Sequence, residues 1–93
     1  MKDLKTFSDL SFGQRPEMGG GGTQMTFENG FGVSVVSHDF SYGGTDGLYE
    51  LAVLDKNGKI TYSTSVTDDV LGYLTESAVS KAMARIQRLE RGQ

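Results

Sequence analysis

Between Phe27 and Leu54 the chain reads FENGFGVSVVSHDFSYGGTDGLYELAVL, and the Asn29-Gly30 pair inside it constrains the fold more than any other feature. A two-residue type I′ hairpin needs positive φ at both central positions, and Asn followed by Gly tolerates that best. The pair therefore predicts a tight turn between two antiparallel strands. Before it, Thr23 to Glu28 alternates, with Met25 and Phe27 on one side and Gln24, Thr26 and Glu28 on the other, the period of a half-buried strand. Beyond it, Phe31 to His38 reads as the second strand, in which Gly32 marks a close approach or a bulge. Leu48 to Leu54 reads as the third, apolar on both faces and so interior to the sheet. Asp55-Lys56-Asn57-Gly58-Lys59 is a second turn, with Gly58 at the left-handed position, and returns the chain into a fourth strand from Ile60 to Thr64.

The last third reads as helical. Thr67-Asp68-Asp69 resembles an N-terminal cap with carboxylates in the first turn, and leads into one or two turns over Val70-Leu71-Gly72-Tyr73-Leu74. Thr75 caps a longer helix, in which Val79, Ala82, Met83, Ile86 and Leu89 form one apolar stripe. Lys81, Arg85 and Arg88 lie on the opposite side, either as a solvated cationic face or as a stripe able to touch phosphates. The expected fold is α+β: a four-stranded antiparallel meander with the C-terminal helix packed on one face.

Residues 1–22 read as an N-terminal arm and Gly-rich linker, and 23–91 as a single α+β domain. Leu4, Phe7, Leu10 and Phe12 fit a short helix or an extended edge segment equally well, and Arg15-Pro16 interrupts either. The unbroken run Gly19 to Gly22 predicts flexibility. It is no phosphate-binding loop, because no Lys-Ser or Lys-Thr follows it and a strand, not a helix, comes next.

Ninety-three residues make one domain. The chain has no Cys, which excludes disulfides, a thiolate metal site and a cysteine nucleophile. No apolar run reaches the roughly 20 residues of a membrane span, and MKDLKTFSDL lacks a signal-peptide core, so a cytoplasmic location is expected. The net charge of −3 is unevenly spread. From Pro16 to Asp55 there is no Lys or Arg, while Glu17, Glu28, Asp39, Asp46, Glu50 and Asp55 supply negative charge; Lys81, Arg85, Arg88 and Arg91 concentrate the positive charge at the end. Such an acidic body keeps a small sheet apart from its neighbours, or meets a basic surface on a partner protein. It disfavours direct nucleic-acid binding.

His38 is the single histidine, next to Asp39 and near Ser34, Ser37 and Ser41. Adjacent strand residues point to opposite faces, so His38-Asp39 makes a poor orienting pair for nucleophilic catalysis. Asp39, Asp46, Asp68 and Asp69 show no calcium-loop spacing, and no metal or other cofactor is expected. The stretch His38 to Tyr49 stands out by composition: Phe40, Tyr42 and Tyr49 among Gly43, Gly44 and Gly47, rigid rings on permissive backbone. Either the glycines turn the chain while Phe40 and Tyr42 cap the core, or the loop is a contact surface. In the second case Phe40 and Tyr42 are its anchors, and Asp39, Asp46 and Glu50 select a basic partner.

FENGFGVSVV, SYGGTDGLYELAV, GKITYSTSVTDDVLGYLTE and the helix after them resemble a set of small proteins, mostly without assigned activity, encoded by bacteriophages and prophage regions. NG(F/Y)GVSV, YELAV and TDDV(I/L)GYL motifs recur in that set, and the likeness covers roughly residues 26 to 90. The resemblance implies the cytoplasm of an infected bacterium, where small acidic proteins block host machinery, including restriction and CRISPR nucleases. The expected function is a non-enzymatic protein-binding module of that type. The alternatives are a self-associating assembly protein, using a sheet edge or the face carrying Leu48, Ala52 and Leu54, and a small enzyme using His38.

Overall fold

The computed structural model describes residues 4–15, 20–61, 64 and 70–89, and in it the Asn29-Gly30 hairpin closes through a longer loop than expected. Phe27 N–H donates to Phe31 O at 2.7 Å and Gly30 N–H to Phe27 O at 3.0 Å. Gly30 has φ 93°, whereas Asn29 is not among the positive-φ residues. Glu28-Asn29-Gly30 is thus a three-residue loop ending in a left-handed glycine, which also matches the twist of the flanking strands. Lys56-Asn57-Gly58 repeats it: Asp55 N–H donates to Lys59 O at 2.7 Å, Gly58 N–H to Asp55 O at 2.9 Å, and Gly58 has φ 79°.

Five strands, β1 (Gly13–Arg15), β2 (Gly20–Thr26), β3 (Gly32–Ser37), β4 (Tyr49–Leu54) and β5 (Leu71–Leu74), precede the helix α1 (Glu76–Gln87). They form one sheet in the order β1-β2-β3-β4-β5, each neighbouring pair antiparallel. The expected class holds: α+β, an antiparallel meander with the C-terminal helix on one face. The ends of the meander differ from expectation.

At the C-terminal end the strand beside β4 is β5, read from sequence as helical turns. Ile60 makes only an isolated bridge to Leu54, with Thr61 N–H donating to Val53 O at 2.8 Å; positions 62 and 63, and the expected cap at 67–69, lie outside the described residues. The misreading has a physical cause. Leu71 pairs with Leu51 and Leu74 with Tyr49, and the register shifts between them because two residues of β5 face one of β4. An extra residue of this kind is a β-bulge, and here it turns both leucines toward the core although they are three apart. An i, i+3 apolar pair is also what a helix would show. Tyr73, inside the bulge, is the one described non-glycine residue at positive φ, 56°.

At the N-terminal end the described part of the glycine run is strand and not linker; Gly19 lies outside the described residues. Gly20, Gly21 and Gly22 open β2, pairing with β1 on one side and, from Gly21, with β3 on the other. The missing side chains allow the close approach: a Cβ on Gly22 would lie 2.7 Å from Val36 Cγ1, and one on Gly20 would run into the Ser37 carbonyl. The arm before it is docked as well. Phe7–Asp9 forms a 3-10 turn whose Asp9 carboxylate accepts Thr6 N–H at 2.8 Å. Phe7 N–H donates to Ser80 Oγ at 2.9 Å, while Lys5 and Gln87 exchange two bonds, each 2.8 Å, between backbone and side-chain amide. The Phe7, Phe12 and Tyr49 rings pack with centroids 5.0–5.6 Å apart.

The core lies between α1 and one sheet face. Val33 and Val35 of β3 and Leu51 and Val53 of β4 meet Val79, Ala82, Met83 and Ile86 of the helix, closed at one end by Phe27 and Phe31. Each fully buried aliphatic side chain here contributes roughly 1.5–3 kcal/mol. Thr75 caps α1 as expected, its Oγ1 accepting Ala78 N–H at 3.1 Å, and Lys81, Arg85 and Arg88 stand on the exposed side. The second face differs from a bare sheet. Ala52 and Leu54 are only 6% and 4% exposed, so the single chain already covers them and they offer no apolar surface for self-association. Among the described residues no helix is long and apolar enough to cross a membrane.

Candidate functional site

The chain leaves β3 at Ser37, re-enters the sheet at Tyr49, and is fixed in between by its own short side chains. Ser37 Oγ donates to Leu48 O at 2.9 Å, clasping the base of the loop. Ser41 Oγ accepts His38 N–H at 3.0 Å and donates to His38 O at 2.9 Å. Gly43 O receives both Asp46 N–H and Leu48 N–H, at 3.0 and 2.9 Å, around a 3-10 turn over Gly44–Asp46. Many of the loop's backbone N–H groups thereby find acceptors without a sheet ladder. The glycines turn the chain, and the result is a hydrogen-bonded scaffold.

Onto that scaffold the rings are turned outward. Phe40 is 78% exposed and Tyr42 59% exposed. Neither caps the core. Tyr42 is held by both of its backbone groups: its N–H donates to Glu50 Oε1 at 2.9 Å, and its carbonyl accepts Tyr73 N–H at 3.2 Å. The second bond couples the loop to the β5 bulge. There Gly72 makes room, since a Cβ on it would lie 2.6 Å from Tyr42 Cβ. The bulge also turns the Tyr73 side chain outward, 62% exposed, so a third ring stands beside the loop.

The five residues expected to form a contact surface are therefore brought to one region with unequal roles. Asp39 and Asp46 are exposed with Phe40 and Tyr42. Glu50 is half-buried and holds the loop through Tyr42 N–H, so its carboxylate serves the scaffold as well as the local field. Tyr73 was missed, because the residues around it read as helix. The signal that could have found it is the Gly72-Tyr73 pair between two leucines, a bulge pattern within a strand.

Among the described residues no nucleophilic relay is assembled around His38. Its Nδ1 accepts Phe40 N–H at 3.1 Å, which places the ring proton of the neutral imidazole on Nε2. An orienting carboxylate would have to occupy the position that this backbone N–H takes. Ser41 Oγ is engaged with the His38 backbone and Ser37 Oγ with Leu48 O. Among the described residues no three His, Asp or Glu side chains are grouped to hold a metal ion, and no buried polar side-chain atom lacks a partner. Asp68 and Asp69 lie outside the described residues. Neither a protein-family model, nor a curated protein, nor a solved structure matches this chain.

Proposed function

We propose that the protein is a non-enzymatic protein-binding module whose contact surface is the loop between β3 and β4, with Phe40, Tyr42 and Tyr73 as anchors and Asp39 and Asp46 as the charged rim. One observation carries this reading: three rings more than half exposed stand on residues whose backbone N–H groups are each bonded within the chain. Exposed aromatic side chains on fixed backbone lose little entropy on binding, and such residues supply most of the energy in protein interfaces. The carboxylates favour a partner with a basic surface. The resemblance to phage and prophage proteins supports a specific form of the reading, an inhibitor of a host nucleic-acid enzyme such as a CRISPR or restriction nuclease, acting in the bacterial cytoplasm. Occupying that enzyme's basic groove requires no chemistry from this chain.

The test is capture from bacterial lysate with the wild-type chain and with the Phe40→Ala/Tyr42→Ala variant, alongside thermal unfolding of both. A basic protein retained by the wild type and lost by the variant, at nearly equal thermal midpoints, is the expected result. Equal capture by both chains rejects the loop as the contact surface.

A further inference from the structure

We infer that the exposed rings are one end of a longer site, continued by a groove on the second face of the sheet, and that the whole site takes an extended cationic peptide segment of the partner. The inference rests on the binding-module reading and narrows it to one shape and chemistry of ligand. A groove of about 400 Å³ runs over β2 and β3, bordered by Gly21, Gly22, Gln24, Ser34, Val36 and His38. Register explains its form. Gly22 pairs with Val36, and Val36 with Glu50; Gln24 pairs with Ser34, and Ser34 with Ala52. Residues opposite one another on neighbouring strands share a face, so these two rows lie on the side of the sheet away from α1. Gly22 keeps the β2 side of the groove free of a side chain, and Val36 leans across it, its Cγ1 2.7 Å from where a Cβ on Gly22 would stand.

His38 joins the groove to the loop. It lines the groove, and its ring centroid lies 6.2 Å from that of Phe40, so a chain lying along the trough passes directly to the rings. From Gly21 to Gln24 the trough is roughly 10 Å long at about 3.3 Å per strand residue, enough for three or four residues of extended chain. The Gln24 amide and the Ser34 hydroxyl on its walls can bond to a peptide backbone, which is the polar contact an extended segment needs.

Charge selects the ligand. Apart from Tyr73, every residue of the groove and the loop falls between Pro16 and Asp55, the stretch without a Lys or Arg. With Asp39 and Asp46 exposed beside the rings, a polyanion is repelled and a cationic chain attracted. Arg or Lys is also the side chain that an exposed aromatic face accepts most favourably.

Two fluorescent peptides test this by anisotropy: a short one with two arginines flanked by glycine, and a longer one adding four uncharged Ser and Thr residues on the side toward the groove, prepared in both chain directions. The longer peptide in one direction should bind about ten-fold more tightly than the short one. Gln24→Arg, an exposed position at the groove wall, should remove that gain and weaken the short peptide far less, by added charge alone, with an unaltered circular dichroism spectrum. Phe40→Ala/Tyr42→Ala should lose both peptides. Equal affinities for the two lengths, or no response to Gln24→Arg, overturns the groove while the ring surface stands. Failure of both peptides, with lysate capture still dependent on the rings, overturns the cationic-segment assignment alone. An acidic peptide binding as well as the basic one overturns it too, as does a concentration-dependent dimer abolished by Gln24→Arg, which would give the groove to a second copy.

Discussion

Asn29 Nδ2 donates to the carbonyls of Ile86 and Leu89, at 2.8 and 3.0 Å, so a residue of the β2–β3 turn also closes the C-terminal end of α1. Its Oδ1 accepts Phe31 N–H at 3.1 Å at the same time. The last carbonyls of a helix lack the N–H of a following turn; here Ile86 O takes Leu89 N–H at 3.1 Å and the hairpin amide as well. Asn29→Ala removes all three bonds, and although Ile86 O keeps Leu89 N–H, the loss should cost about 2 kcal/mol, lowering the thermal midpoint by roughly 8–16 °C for a domain of this size. Asn29→Asp separates turn from cap: it keeps the acceptor for Phe31 but replaces the donor with negative charge beside the negative helix end. Urea unfolding should find Asp no better than Ala, and an Asp variant as stable as wild type would show that the turn, not the helix closure, explains Asn29.

The N-terminal segment contributes stability through its rings. Phe7 lies 5.0 Å from Tyr49 and 5.6 Å from Phe12, centroid to centroid, over the edge of the core. Because Phe7 is half-buried, Phe7→Ala should cost about 1–3 kcal/mol, less than a fully buried Phe. Thermal unfolding at the wild-type midpoint would return the segment to the status of a free arm.

At Tyr73, binding and folding can be separated with one substitution. Its φ of 56° costs an ordinary side chain roughly 1–2 kcal/mol, less for Asn, which visits the left-handed region readily. Tyr73→Asn should therefore hold or raise the unfolding midpoint while weakening partner capture. A variant that is less stable and binds as before would remove Tyr73 from the contact surface.

Glu50 should show two roles when its substitutions are compared. Glu50→Ala removes the acceptor for Tyr42 N–H and should cost about 1–2 kcal/mol. Glu50→Gln keeps an acceptor there, so the loop and most of the stability should remain while the affinity for a basic partner becomes less sensitive to salt. Equal unfolding midpoints for the Ala and Gln variants would mean that the bond to Tyr42 does not hold the loop.

Much of the fold was legible because its signals are local. The alternation of Met25 and Phe27, the apolar run Leu51 to Leu54 and the stripe Val79, Ala82, Met83, Ile86 each carry their period within a few residues, and each element forms where that period places it. Leu71 and Leu74 were misread because a bulged strand and a helix both turn residues three apart to one side. Gly20 to Gly22 were misread because a glycine run is flexible alone and is ordered here only by the strands on its two sides. Loop composition pointed to Phe40 and Tyr42; Tyr73 reaches the same surface through a register shift whose one local sign is Gly72-Tyr73 between two leucines.

What the residue order determined by itself was the alternation of strand and turn, the helix with its Thr75 cap, the cation-free span and the ring-bearing loop, since each follows from neighbours within one or two turns of chain. Tertiary structure decided which strand lies beside β4, that Gly20 to Gly22 are sheet and the segment from Lys5 to Phe12 is docked, that Ala52 and Leu54 are covered, and that Phe40 and Tyr42 face outward. The division has a single physical reason. A side chain's burial and a strand's partner depend on distant segments competing for the same face, and backbone preference carries no record of that competition.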